Sequence, residues 1–331
     1  MRLLLAACCW LFLLLPCPAS AGPPHVMVIN SYHAEHPWVR AHNAALLEKL
    51  AGKARVTCFD LDTKRIPRSQ YPEAAERAWR AVLADRPDVV VLTDDNAVRL
   101  LGRRVMDSGI PLVFLGVNQN PRKYLGDMES ATGVLERPLF KRSLLYLQDI
   151  LGPSLKRCLI LFDRGDTSLV IRETTFKNQT SLRLGNTDVD ILFLETFAEW
   201  REAILSARKK NYDVIFAGLY HSFNDEAGEH IPSDEVLTWS SANSPVPLFG
   251  YWDFAVGKGR AVGGLVNSGR PQGEAAAELV LKILAGERPG CLYPVIPKDG
   301  QFVFSRYELQ RWGILVPLDI IKADEPVRFV D

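Results

Sequence analysis

The chain has 331 residues, 47% hydrophobic and 24% charged, and its 39 basic side chains balance 39 acidic ones. Such a composition belongs to a globular protein with material for two domains, and the zero balance excludes a nucleic-acid binder held by gross charge. The chain opens with Met1-Arg2, a continuous apolar run over Leu3–Leu15 and the small-x-small triplet Ala19-Ser20-Ala21. This layout predicts a Sec export signal cleaved near Ala21, its apolar part too short to span a bilayer comfortably. Leu5-Ala6-Ala7-Cys8 lies too near the start to serve as a lipoprotein box. No later stretch reads as a membrane span, so the mature product is expected to be exported and soluble. Cys8, Cys9 and Cys17 leave with the signal, and Cys58, Cys158 and Cys291 form an odd set without C-x-x-C spacing. No disulfide framework is expected from them.

In chain order, His25–Asn30 predicts a first strand, which runs into the polar, aromatic segment Ser31-Tyr32-His33-Ala34-Glu35-His36-Pro37-Trp38. Val39–Leu50 predicts a helix with Ala44, Leu46, Leu47 and Leu50 as its apolar stripe. Arg55–Leu61 reads as a second strand and Tyr71–Asp85 as a second helix. Val89-Val90-Val91-Leu92 suits a strand buried on both faces, as in a parallel sheet. Thr93, Asp94, Asp95 and Asn96 follow and lead into Ala97–Leu101, so strand gives way to helix where N-cap residues stand. Ligands of open α/β sheets collect at the carboxyl ends of the strands, which puts two acids and an amide where a small molecule would lie. The helix stops near Ser108-Gly109, and Pro111–Asn118 forms another buried strand.

After a short strand at Ala131–Leu135 the alternation resumes. Leu139–Leu151, Glu199–Arg208 and Asp234–Ala242 read as helices; Arg157–Phe162, Asp188–Leu194, Asp213–Leu219 and Val246–Gly250 read as strands. Two successive sets of βα units predict an α/β fold of two Rossmann-like lobes with parallel sheets. A late strand at Arg260–Val266, a helix at Gly273–Leu284, and a final strand and helix at Phe302–Phe304 and Tyr307–Trp312 break a simple two-block layout. They imply several crossings between lobes, hence a multi-strand hinge with a cleft beside it. The expected division is residues 22–135 plus about 260–292 for the first lobe, and about 136–259 plus 293–331 for the second.

Several segments together carry a resemblance. They are Val28-Ile29-Asn30-Ser31-Tyr32-His33 with Pro37-Trp38, Thr93-Asp94-Asp95-Asn96-Ala97, Phe114-Leu115-Gly116-Val117-Asn118, Thr132-Gly133-Val134, Tyr251-Trp252-Asp253-Phe254, and Gly263-Gly264-Leu265 with Gly273 and Ala276-Ala277-Glu278. In order and spacing the chain resembles the periplasmic substrate-binding proteins of ABC transporters of the tryptophan-binding type, over nearly all of its mature length. The resemblance implies a type I periplasmic binding protein fold, a periplasmic location, a small-molecule solute in the inter-lobe cleft and a membrane permease as partner. Similar domains also serve as extracellular sensing modules, so a membrane histidine kinase or diguanylate cyclase is the alternative partner. A signalling role is expected to need a separate partner, since no output domain is read within the 331 residues.

The candidate ligand contacts are Ser31, Tyr32, His33, Trp38, Asp94, Asp95, Asn96, Asn118, Asp163, Tyr220, Tyr251, Trp252 and Asp253, all near predicted strand ends. The aromatic residues would stack on a flat or apolar solute or hold a cation, and Asp253 could pair with an ammonium group. His33-x-x-His36 has neither the HExxH helix spacing nor a Cys/His cluster behind it, so no metal and no cofactor are assigned. No GxSxG elbow or GxxxxGK[ST] loop is present, and Gly257-x-Gly259 lacks a third glycine. The chain is therefore expected not to be an enzyme, which sets aside a hydrolase or lyase using Asp94, Asp95 and His33. A monomer without a nucleic-acid partner is expected.

Overall fold

The computed structural model describes residues 22–297, 300–321 and 327–331. The export signal read at 1–21 lies outside the described residues. The first set of elements is β1 (His25–Asn30), α1 (Pro37–Leu50), β2 (Arg55–Asp60), α2 (Tyr71–Asp85), β3 (Val89–Thr93), α3 (Asp94–Asp107), β4 (Leu112–Val117), α4 (Arg122–Leu125) and β5 (Ala131–Leu135). Its strands form one sheet in the order β2-β1-β3-β4-β5, every pair parallel. β1, β3 and β4 are buried from end to end, which is why they are written almost wholly in apolar residues, while the edge strand β2 is partly exposed. Alternate residues feed two cores. Met27, Ile29, Val90 and Leu92 face α2 and α3, whereas Val26, Val28, Val89 and Val91 face α1 and a late helix.

The second set is α5 (Phe140–Leu151), β6 (Arg157–Asp163), α6 (Asp166–Thr174), β7 (Ser181–Leu184), β8 (Thr187–Leu194), α7 (Phe197–Ser206), β9 (Val214–Ala217), α8 (Ser233–Asn243) and β10 (Leu248–Gly250). The sheet order is β10-β9-β6-β8-β7, parallel except that β7 folds back antiparallel onto β8 through Gly185 at φ +57°. A last set is β11 (Gly263–Val266), α9 (Gly269–Leu284), β12 (Gln301–Ser305), α10 (Arg306–Trp312), α11 (Leu318–Ile321) and β13 (Val327–Val330), whose strands make a small mixed sheet.

This last set ties the two halves together. β11 follows β10 closely, the Val262 N–H donating to the Leu248 carbonyl at 2.7 Å, and Leu265, Phe302 and Phe304 join the second lobe's aromatic core. α9 instead returns to the first sheet and packs on α1. A Cβ at Gly273 would lie 2.1 Å from the His42 carbonyl oxygen, and one at Gly269 would lie 2.8 Å from that of Trp38, so the two helices touch only because these positions carry no side chain. The segment after α9 then runs beside β5, with the Leu135 N–H donating to Val295 at 2.8 Å and the Val295 N–H to Gly133 at 2.9 Å. The chain thus passes between lobes after β5, between β11 and α9, and between α9 and β12. Among the described residues no helix is long and apolar enough to cross a membrane.

Candidate functional site

The site is built from strand tips. Asp94, Asp95 and Asn96 are not the caps that their residue types predict; they form the first turn of α3, and Thr93 stands at the N-cap with its hydroxyl turned to β1 and not capping the helix. The cap comes from the neighbouring strand. The Ser31 hydroxyl accepts from the Ala97 N–H at 2.7 Å and donates to the Thr93 carbonyl at 2.6 Å. Relieved of capping, Asp94 sits at φ +59°, a left-handed conformation that costs a side-chain-bearing residue about 1–2 kcal/mol and is characteristic of functional sites. Its carboxylate and the Trp38 indole both lie over Gly116, where an added Cβ would stand 3.3 Å from Asp94 Oδ1 and 3.6 Å from Trp38 Nε1.

Between the lobes these groups enclose a cavity of about 20 Å³, with Tyr32, Trp38, Asp94 and Glu136 on the first-lobe side and Trp252 and Phe254 opposite. Glu136 is held by both neighbours: Trp252 Nε1 donates to Oε1 at 2.9 Å and Asn118 Nδ2 to Oε2 at 2.8 Å. Asp94 is not so provided for, and its buried Oδ2 has no hydrogen-bond partner; nor have Trp38 Nε1 and His36 Nε2 beside it. Burial pushes the Asp94 carboxyl well up from the usual range, reinforced by Glu136 and Asp95. Burial also raises Glu136 to about 7, against the bonds from Trp252 and Asn118. Lys64, buried on the remaining side, places Nζ 4.9 Å from the centre of the Tyr32 ring. Lys64 and Arg137 only partly offset the upward shifts of Asp94 and Glu136 respectively, and a buried carboxyl oxygen without a hydrogen-bond partner, walled by aromatic faces, makes a place that favours a cationic donor entering from outside.

The lobes touch around this cavity. Tyr32 and Thr167 share a hydroxyl hydrogen bond at 2.9 Å, Arg68 meets Asp166 at 2.6 Å, and Gln119 Nε2 donates to Glu173 at 3.1 Å. A cavity of about 20 Å³ has room for a single water, so an organic solute enters only when the lobes part. Two larger grooves, about 510 Å³ and 560 Å³, open on either side and share Lys64 with the cavity.

Of the thirteen candidate contacts, Tyr32, Trp38, Asp94 and Trp252 line the cavity. Asp95 accepts from the Asn118 and Gln119 N–H groups at 3.1 and 3.0 Å and from the Tyr124 hydroxyl at 3.2 Å, which anchors the loop after β4. Asn96 donates to Thr63 and lines the larger groove, and Asn118 holds Glu136. Asp163 takes bonds from Gly165, Ser168, His221 and Ser222, so its oxygens are occupied in shaping two loops. Tyr220 stacks on His221 within the second lobe, and Tyr251 lies behind Trp252, stacked on Phe216 at 4.4 Å. Asp253 sits in a turn with its carboxylate 4.0 Å from Arg328. His33 pairs with Asp62 at 3.2 Å at the rim of the smaller groove. Among the described residues no cluster of three or more His, Cys, Asp or Glu is arranged to hold a metal.

Glu136 and Lys64 escaped sequence reasoning, and His36 and Phe254, although they lie in the segments singled out there, were not among the candidate contacts. Glu136 directly follows the short strand Ala131–Leu135, so the strand-end rule applied to Asp94 would have found it; Lys64 lies too far past its strand for that rule to reach.

The fold is that of a type I periplasmic binding protein. An ABC domain from Streptococcus pneumoniae in complex with L-Trp covers 94% of this chain and all of its own length at 14% identity, with a TM-score of 0.66. A conserved domain protein from Vibrio cholerae covers 94% and 100% at 18% identity and TM-score 0.63. A substrate-binding protein with adhesive properties from Clostridium difficile, in its ligand-free open form, covers 93% and 99% at 15% identity and TM-score 0.60. Neither a protein-family model nor a curated protein sequence matches the chain.

Proposed function

We propose that this protein is an exported receptor that binds a small, amine-bearing, amino-acid-like solute between its lobes and hands it to the permease of an ABC transporter. The observation that carries the reading is Asp94: a strained, buried carboxylate with an unpartnered oxygen, next to Glu136, inside a box of Tyr32, Trp38 and Trp252. A ligand ammonium would satisfy that oxygen, its apolar part would pack on the indoles, and a ligand carboxylate would meet Lys64 on the other side. Structural neighbours of the same fold include proteins crystallised with L-Trp, glycerol and myo-inositol, which fits a receptor role and leaves the solute to be set by the residues in the cleft.

The test is a thermal-shift screen at pH 8 of amino acids, their amides and decarboxylated amines, and sugars. A solute present at about 100 times its Kd stabilises the native state by about 2.7 kcal/mol. Amine-bearing solutes should raise the melting temperature and neutral sugars should not. Silence across the amine panel would refute the proposal.

A further inference from the structure

Four of the six histidines in the chain, His33, His36, His221 and His230, line one groove between the lobes. His36 precedes α1 on the first lobe and His221 follows β9 on the second, and their rings meet across the gap with centroids 4.8 Å apart. Both are buried, at 5% and 2% exposure. His36 Nδ1 accepts the Trp38 N–H at 3.3 Å, so the neutral ring carries its proton on Nε2, which is buried without an acceptor. A second proton would have to go on Nδ1 and would displace the cap of α1.

We propose that the His36–His221 contact is an acid-sensitive latch: the lobes close when both rings are neutral and are driven apart when the rings take up protons. The inference rests on the two-lobed architecture and not on which solute is bound.

The surroundings give an imidazolium nothing to pair with. From the first lobe the latch faces Tyr32, His33 and Glu35 before α1, Arg40 and His42 on α1, and Lys64 and Arg65 after β2; from the second it faces Tyr220, His230, Asp234 and Arg260, while Asp163 accepts the His221 backbone N–H and has its oxygens taken up by Gly165, Ser168 and Ser222 as well. The two acids of the groove already answer to arginines, Asp234 to Arg260 at 3.1 Å and Glu35 to Arg65 at 3.9 Å, and both are largely exposed. Deeper in the cleft, burial pushes Asp94 and Glu136 toward their neutral forms. Burial first, then the company of His221 and of Lys64, holds His36 well below the ordinary imidazole range; burial and Lys64 do the same to His221. When the lobes part, both rings regain water and ordinary pKa values near 6.5. The open form therefore binds more protons below that pH, and the closing constant falls by up to about tenfold per pH unit for each imidazole, about a hundredfold for both.

Small-angle scattering of the ligand-free protein at pH 7.5 and 5.0, at equal ionic strength, reads the latch directly. The expected result is a reversible rise in radius of gyration at pH 5.0, absent from a His36→Asn/His221→Gln double variant, in which the introduced amide oxygen keeps an acceptor for the α1 cap. His221→Gln alone leaves the native cap untouched and should show a smaller rise, so the test survives if the double variant fails to fold. An unchanged radius in the wild type, or a rise of equal size in the variants, would overturn the latch. The solute screen at pH 8 leaves the histidines neutral, so its failure would reject the receptor reading without touching this one.

Discussion

Asp94 is where the physical cost and the proposed chemistry of the cleft coincide. It combines positive φ, near-complete burial and an unpartnered oxygen, a combination that stability alone does not favour. Asp94→Asn should weaken amine binding about ten- to hundredfold, the worth of a hydrogen bond to a charged group, about 1.5–3 kcal/mol. The ligand-free melting temperature at pH 8 should hold or rise, because the amide keeps the shape of a buried carboxyl group whose charged form burial disfavours; calorimetric titration and a melting curve check the two halves. Glu136 adds a pH signature. Its carboxyl is raised to about 7 in the folded protein, so the native state binds more protons than the unfolded chain between the ordinary carboxyl pKa and about 7. Stability from this site is present at low pH and declines as pH rises through that window. Ammonium binding runs the other way and should strengthen from pH 6 to pH 8 as the carboxylate forms, a trend that titration at the two pH values would reveal. The place of Asp94, Tyr32 and Trp252 beside the cleft was legible in the sequence because each stands within two residues of a strand end, and that of Trp38 because it belongs to the polar, aromatic segment after β1. The roles of Asp95 and Asp163 were not, since an acid that binds loop amides and one that waits for a ligand look alike until their partners are known.

At the scale of elements, two devices aim the site. Ser31 reaches from β1 to cap α3, so Ser31→Ala should cost about 0.5–2 kcal/mol of stability, the usual worth of an N-cap, and weaken binding by loosening Asp94; denaturant unfolding measures the first. The glycine contact of α9 with α1 sets the position of Trp38. Gly273→Leu would drive a side chain into the His42 carbonyl, 2.1 Å from the Cβ position, and should destabilise by about 1–3 kcal/mol or more. A melting temperature unchanged in Gly273→Leu would refute the close-contact account. The parallel elements were readable from their apolar runs and their breaks at Gly and Pro, and their ends fall within a few residues of the expected ones. α6 and β7 were not: β7 is an exposed edge strand with two polar residues in four, and the Gly185 turn that pairs it with β8 lies outside any strong apolar pattern.

For the whole molecule, alternation of strand and helix conveyed two lobes, and late elements out of block order conveyed a hinge. What the sequence could not convey is how far the lobes close. The present form brings them into contact and leaves about 20 Å³ between them, so binding must be coupled to opening, and a solute shifts the population only through its preference for one form. The most direct measurement is a crystal structure of the protein with the best solute of the amine screen. The account predicts that solute between the lobes, its nitrogen within hydrogen-bond distance of Asp94 and its apolar part against Trp38 or Trp252. A solute seated outside the cleft, or one inside it that leaves Asp94 without a partner, would contradict the account.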